Sequence, residues 1–181
     1  GAGATQQMDG WHACGPLCCF GALSSGDIEL LEYQYPILIH KYGLAEDSGG
    51  AGEYRGGCGT VWEVEPLDHT MTVIAFGEGR QHPTMGAGGA EQISPELKVG
   101  RLEILHKDGQ TDLYRKNTVT EITPGERARN INPGGGGYGS SFDRDIQAVI
   151  KDVKERIISI AAAKIEYGVV LDPETLALNE A

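Results

Sequence analysis

The chain has 181 residues, 27 of them glycine, and sets 15 Lys and Arg against 26 Asp and Glu for a net charge of −11. An acidic chain without a cluster of Lys and Arg repels a nucleic-acid backbone and an anionic lipid surface, so neither is an expected partner. The longest nearly apolar run, Ile157 to Ala163, is far short of the ~20 residues a bilayer demands, which excludes a spanning helix there.

The first segment, Gly1 to Gly26, mixes Gly, Ser, Cys and Pro with no sustained period and reads as irregular structure lying against the rest of the fold or a partner. It opens without methionine, which fits either initiator removal or cleavage from a longer precursor. Between Ile28 and Leu44 the residues Ile28, Leu30, Tyr33, Tyr35, Ile37 and Ile39 alternate, predicting one or two strands broken at Pro36. Asp47 to Gly59 is too rich in glycine for helix or strand and is expected to be a shaped or disordered loop. Thr60–Val64 and His69–Phe76 then read as two strands of a hairpin.

Arg101–Lys107 and Gln110–Tyr114 alternate around Asp108-Gly109, a strong two-residue hairpin signal, and Val119–Ile122 adds a short strand. After the run Gly134 to Gly139 the period becomes helical. Ile146, Val149, Ile150, Val153 and Ile157 share one face, with Asp143 or Asp145 as cap. A second helix, Ser159 to Tyr167, ends at Gly168. The expected fold is a single domain over residues 1–181, α+β and mainly β, with short antiparallel strands, glycine-rich loops and a C-terminal helical segment. Glycine at about twice its usual ~7% suits such a turn-rich design.

Several constellations bear on chemistry. Gly134, Gly135, Gly136, Gly137 and Gly139 before a helix imitate a phosphate-binding loop, but Ser140 stands where the decisive lysine belongs. What remains is a glycine turn or a weaker anion nest of backbone amides. His12, Cys14, Cys18 and Cys19 are weak metal candidates, because their spacing matches no common zinc site and no second half follows. The four cysteines, Cys58 included, lie in a chain without a signal-like start, so reduced thiols and a cytoplasmic location are expected. No nucleophile elbow, His-Glu-x-x-His or dinucleotide fingerprint occurs. His40, His69 and His106 read as solvated or structural, whereas Arg80 and His82 sit in a Gly- and Pro-bounded loop where binding groups are commonly displayed.

Tyr35-Pro36, then Asp47-Ser-Gly-Gly-Ala-Gly-Glu-Tyr-Arg-Gly-Gly57, then Pro133-Gly-Gly-Gly-Gly-Tyr-Gly139, then Arg144-Asp145, Asp152-Val153 and Tyr167-Gly-Val-Val170 occur in that order. The series resembles the hydantoinase B family, which includes the acetone carboxylase alpha and 5-oxoprolinase C-terminal regions, and the likeness covers nearly the whole chain. Members are usually several times longer, so the resemblance implies their C-terminal part. The metal ligands of metal-dependent members belong upstream, and none is carried onto a residue here.

The resemblance implies the small split subunit of an acetophenone carboxylase-type complex, completed by larger hydantoinase B-like and hydantoinase A-like subunits. ATP and a divalent metal would then sit on those partners, with no cofactor bound by this chain. A small-molecule substrate would meet the complex as a whole, in a site where carboxyphosphate or CO2 reaches the enol of a ketone. Arg55, Arg80 and His82 are the side chains expected to touch it, arginine because its fixed fork suits a carboxylate or phosphate. Two alternatives are opening of a cyclic amide (hydantoin, 5-oxoproline or a lactam) and a purely structural subunit without substrate contact.

Overall fold

A computed structural model describes residues 1–14 and 26–179. Helix α1 spans Ile28–Gln34, where alternation predicted strand. Asp27 accepts from the Leu30 amide at 3.1 Å, and the Glu, Leu and Gln that follow are helix formers, so a capped turn prevails until Pro36. Strand β1, Ile37–Leu44, begins just beyond that proline.

Strands β2 (Thr60–Pro66), β4 (Arg101–Leu105), β5 (Thr111–Tyr114) and β7 (Arg127–Ile131) join β1 in a five-stranded antiparallel sheet of order β1-β2-β7-β4-β5. Strands β3 (Met71–Ala75) and β6 (Thr118–Ile122) form a separate two-stranded ribbon. The expected hairpin of Thr60–Val64 with His69–Phe76 therefore does not exist: the chain leaves the sheet after Pro66 and enters the ribbon. Burial explains the crossing, because Ala75 and Ile122 of the ribbon close over Leu102, Ile104 and Ala128 of the sheet. The Asp108-Gly109 hairpin forms as expected, with Gly109 at φ +84° and the Asp108 carboxylate accepting from the Gln110 amide at 2.9 Å.

Central strand β7 carries no apolar alternation. One of its faces buries Ala128, while Arg127 and Arg129 on the other reach across to the buried Glu63 of β2, and Arg129 also to Glu103 of β4. The ion ladder takes the place of an apolar stripe. The C-terminal helices follow expectation more closely. Helix α2 is Ile146–Lys154, with the Asp145 carboxylate capping the Gln147 and Ala148 amides; it ends before Ile157 and leaves Ile146 exposed, so of the expected face only Val149, Ile150 and Val153 are buried on the helix. Helix α3 is Ile160–Tyr167, capped by Ser159 and ended by Gly168 at φ +70°. Their faces form a second core with Ala51, Cys58, Val169 and Leu171.

Candidate functional site

The two glycine blocks meet face to face. The Gly50 amide donates to the Gly135 carbonyl at 2.8 Å and the Gly135 amide to the Gly57 carbonyl at 2.8 Å, while Tyr54 and Tyr138 exchange both backbone bonds. The first residues complete the layer: Gly57 donates to Ala2, and Ala4 to Gly136. A Cβ on Gly135 would collide with the Ala2 carbonyl and one on Gly56 with the Gly135 carbonyl, so side chains are excluded by backbone itself. The Gly139 amide donates to Ala87, and the carbonyls of Gly134 and Gly137 accept from Thr84 Oγ1 and the Ala87 amide. The run is thus bonded into the fold, and Gly134 to Gly137 and Gly139 are all buried.

Arg55 is anchored beside this layer. Its Nε donates to Asp152 at 3.1 Å, one terminal nitrogen to the Gly56 carbonyl at 2.7 Å and the other to Asp152 at 3.5 Å. Arg144 binds the same Asp152 at 2.8 Å and grips Asp9 with two bonds of 2.7 and 2.8 Å, and Asp9 also accepts the Arg55 amide. Burial alone would push the Asp9 carboxyl up. The bonds from Arg144 and Arg55 outweigh it and hold that carboxyl below its usual range. Arg55 therefore ties the glycine layer to α2, with every guanidinium nitrogen engaged.

A second buried pair lies nearby: Lys98 donates to the Asp47 carbonyl at 2.6 Å and to Glu166 at 3.1 Å, and burial pushes the Glu166 carboxyl up.

Arg80 and His82 are brought together in one cleft of about 450 Å³, whose walls also include Gly77, Glu78, Lys116 and Asn117. Arg80 is 5% exposed and His82 is exposed. One terminal nitrogen of Arg80 donates to Asn130 at 2.7 Å, and the other, buried, has no partner among the described residues. Arg55 lies apart from this group.

His12 accepts the Cys58 amide on Nδ1 at 3.0 Å, and burial together with the Arg55 charge pushes its pKa down. Cys14 and Cys58 are free thiols, Cys14 exposed and Cys58 buried. Cys18 and Cys19 lie outside the described residues. Among the described residues no three His, Cys, Asp or Glu side chains gather as metal ligands. His40, His69 and His106 each face a carboxylate, His106 contacting Glu126 at 2.7 Å and Asp112 at 3.2 Å.

Asp9, Lys98, Asn130 and Lys116 carried no signal in the sequence. Asp152 and Glu166 did, since each falls on the buried stripe of its helix, between Val149 and Val153 and between Ala163 and Tyr167.

The chain is 61% identical over 172 residues to caprolactamase subunit beta of Pseudomonas jessenii, which covers 95% of this chain and 30% of that protein. It is 28% identical over 200 residues to the acetophenone carboxylase delta subunit of Aromatoleum aromaticum, covering 95% of this chain and 29% of that one. The crystal structure of the ATP-dependent caprolactamase from Pseudomonas jessenii superposes with a TM-score of 0.87 at 53% identity, over all of this chain and 31% of that one. The chain thus spans about 30% of the length of these relatives. The model of the hydantoinase B/oxoprolinase family matches residues 1–141, a stretch that contains both glycine blocks, and the chain belongs to that family.

Proposed function

We propose that this chain is part of an enzyme that opens the ring of a cyclic amide with the help of ATP. The observation carrying this reading is 61% identity to caprolactamase subunit beta over 95% of the chain. The superposition on the ATP-dependent caprolactamase supports it. A ketone carboxylase, the reaction first implied by the resemblance, rests on the weaker 28% relation to the acetophenone carboxylase delta subunit.

In this proposal larger hydantoinase B-like and hydantoinase A-like chains complete the enzyme. The glycine run has no lysine for the β and γ phosphates, so ATP is assigned to those partners, where it would supply the driving force for opening the ring amide. A divalent metal is assigned to them too. The contribution of this chain is a rigid wall: the glycine layer fixes four backbone segments, and Asp9, Arg55, Arg144 and Asp152 lock that layer to α2. Arg80 and His82 are its candidates for contact with a ligand.

The test is turnover by the whole enzyme isolated from its source. ATP with caprolactam should yield ADP and the ring-opened amino acid in step. ADP formation that needs acetophenone and bicarbonate, with no lactam turnover, would overturn the proposal in favour of the carboxylase.

A further inference from the structure

Arg80 is a buried cation with no carboxylate partner among the described residues. Burying a guanidinium without an opposite charge is costly unless something else satisfies it, and here a neutral amide satisfies one terminal nitrogen while the other, itself buried, has no partner among the described residues. The desolvation is large enough to push the Arg80 pKa down.

The fold holds the side chain in this condition by design of several contacts. The Gly100 amide donates to the Gly79 carbonyl at 2.7 Å and fixes the backbone just before Arg80. Asn130 is oriented in turn, because its amide nitrogen donates to Asn132 at 3.1 Å, and Asn132 donates to Thr60 at 2.8 Å. That relay leaves the Asn130 oxygen as the acceptor for Arg80. Across the cleft, the Gly77 amide donates to Asn117 at 3.2 Å and joins the loop after β3 to the turn before β6, which brings Lys116 to the same opening. Lys116 makes no ion pair among the described residues, and Glu78 is the one acid in the lining. In a chain of net charge −11 such a concave, net positive spot runs against the average surface.

We propose that this cleft is a binding site for a small oxyanion, a carboxylate or a phosphate. Arg80 supplies a fixed, buried positive charge behind the cleft, Lys116 an exposed second charge and His82 a hydrogen-bonding group at the rim. The inference rests on this chain's own geometry and holds whichever reaction the enzyme performs.

Calorimetric titration of the whole enzyme with inorganic phosphate, and separately with acetate, tests it at low ionic strength. Saturable binding of at least one is expected, and the arm that saturates tells tetrahedral from planar recognition. Arg80→Gln should weaken that binding at least tenfold. Lys116→Gln, an exposed change that leaves the fold intact, should weaken it severalfold and reduce its salt dependence. No saturable binding in either arm would overturn the proposal, as would binding that Lys116→Gln and Arg80→Gln leave unchanged. A structure of the whole enzyme with another segment's carboxylate on Arg80 would overturn it too.

Discussion

Asp152 is shared by two arginines, and both are buried with it. A neutral replacement would leave two guanidiniums facing an amide in a site with little water. Asp152→Asn should therefore destabilise the protein by about 3–5 kcal/mol, as expected when one partner of a buried ion pair is removed. Chemical denaturation measures this, and a loss below ~1 kcal/mol would show that Asp9 alone satisfies both arginines. His106 makes a different prediction. Its bond to Glu126, aided by Asp112, raises its pKa, and the same contact lowers Glu126 to about 2. A histidine raised in the folded state contributes stability that is full below its ordinary value near 6.5 and is lost as pH rises through the folded value. An NMR titration should place the His106 midpoint above 6.5, and Glu126→Gln should bring it down; an unchanged midpoint in the variant would contradict the pairing. Neither network was legible as a network in the sequence. Charge on a buried helical stripe marks Asp152 and Glu166 as paired; Arg144 lies only eight residues from Asp152, but its second arginine, Arg55, and the Lys98 of Glu166 lie 97 and 68 residues away along the chain.

Elements were legible where local chemistry decides them. The Asp108-Gly109 hairpin and the capped ends of α2 and α3 depend on residues within a few positions, and the sequence places them correctly. Elements that depend on distant partners were not. β7 is a strand because Glu63 and Glu103 wait on the neighbouring strands for its arginines, and α1 was obscured by an apolar alternation that suits either element. The glycine blocks were visible as motifs, yet their packing against each other and against residues 1–10 is a tertiary fact. That layer predicts a sharp contrast between two glycines. Gly135→Ala should abolish soluble folded protein, since its Cβ meets the Ala2 carbonyl, whereas Gly43→Ala in β1 has open space and should change the melting temperature by no more than a few degrees. Thermal melting of both variants checks it. A folded Gly135→Ala protein would mean that the layer is looser than its hydrogen bonds indicate.

At the scale of the molecule, large apolar side chains remain on the surface in groups: Leu30, Tyr33 and Tyr35 on and after α1, and Ile74, Phe76 and Val119 on the outer side of the ribbon. Clusters of this size are characteristic of surfaces that other protein covers. The chain matches about 30% of the length of caprolactamase subunit beta and of the acetophenone carboxylase delta subunit. The family's fold and its glycine motifs could be read from the sequence, but the reaction could not, because this chain covers only about 30% of the length of its relatives and none of its motifs distinguishes a lactam from a ketone. Native mass spectrometry of the protein purified from its source, with no tag on this chain, tests most directly that it works as one portion of a larger enzyme. The expected result is an assembly in which this sequence travels with hydantoinase B-like and A-like mass and turns over ATP with a lactam. A free species of 19.3 kDa would contradict it.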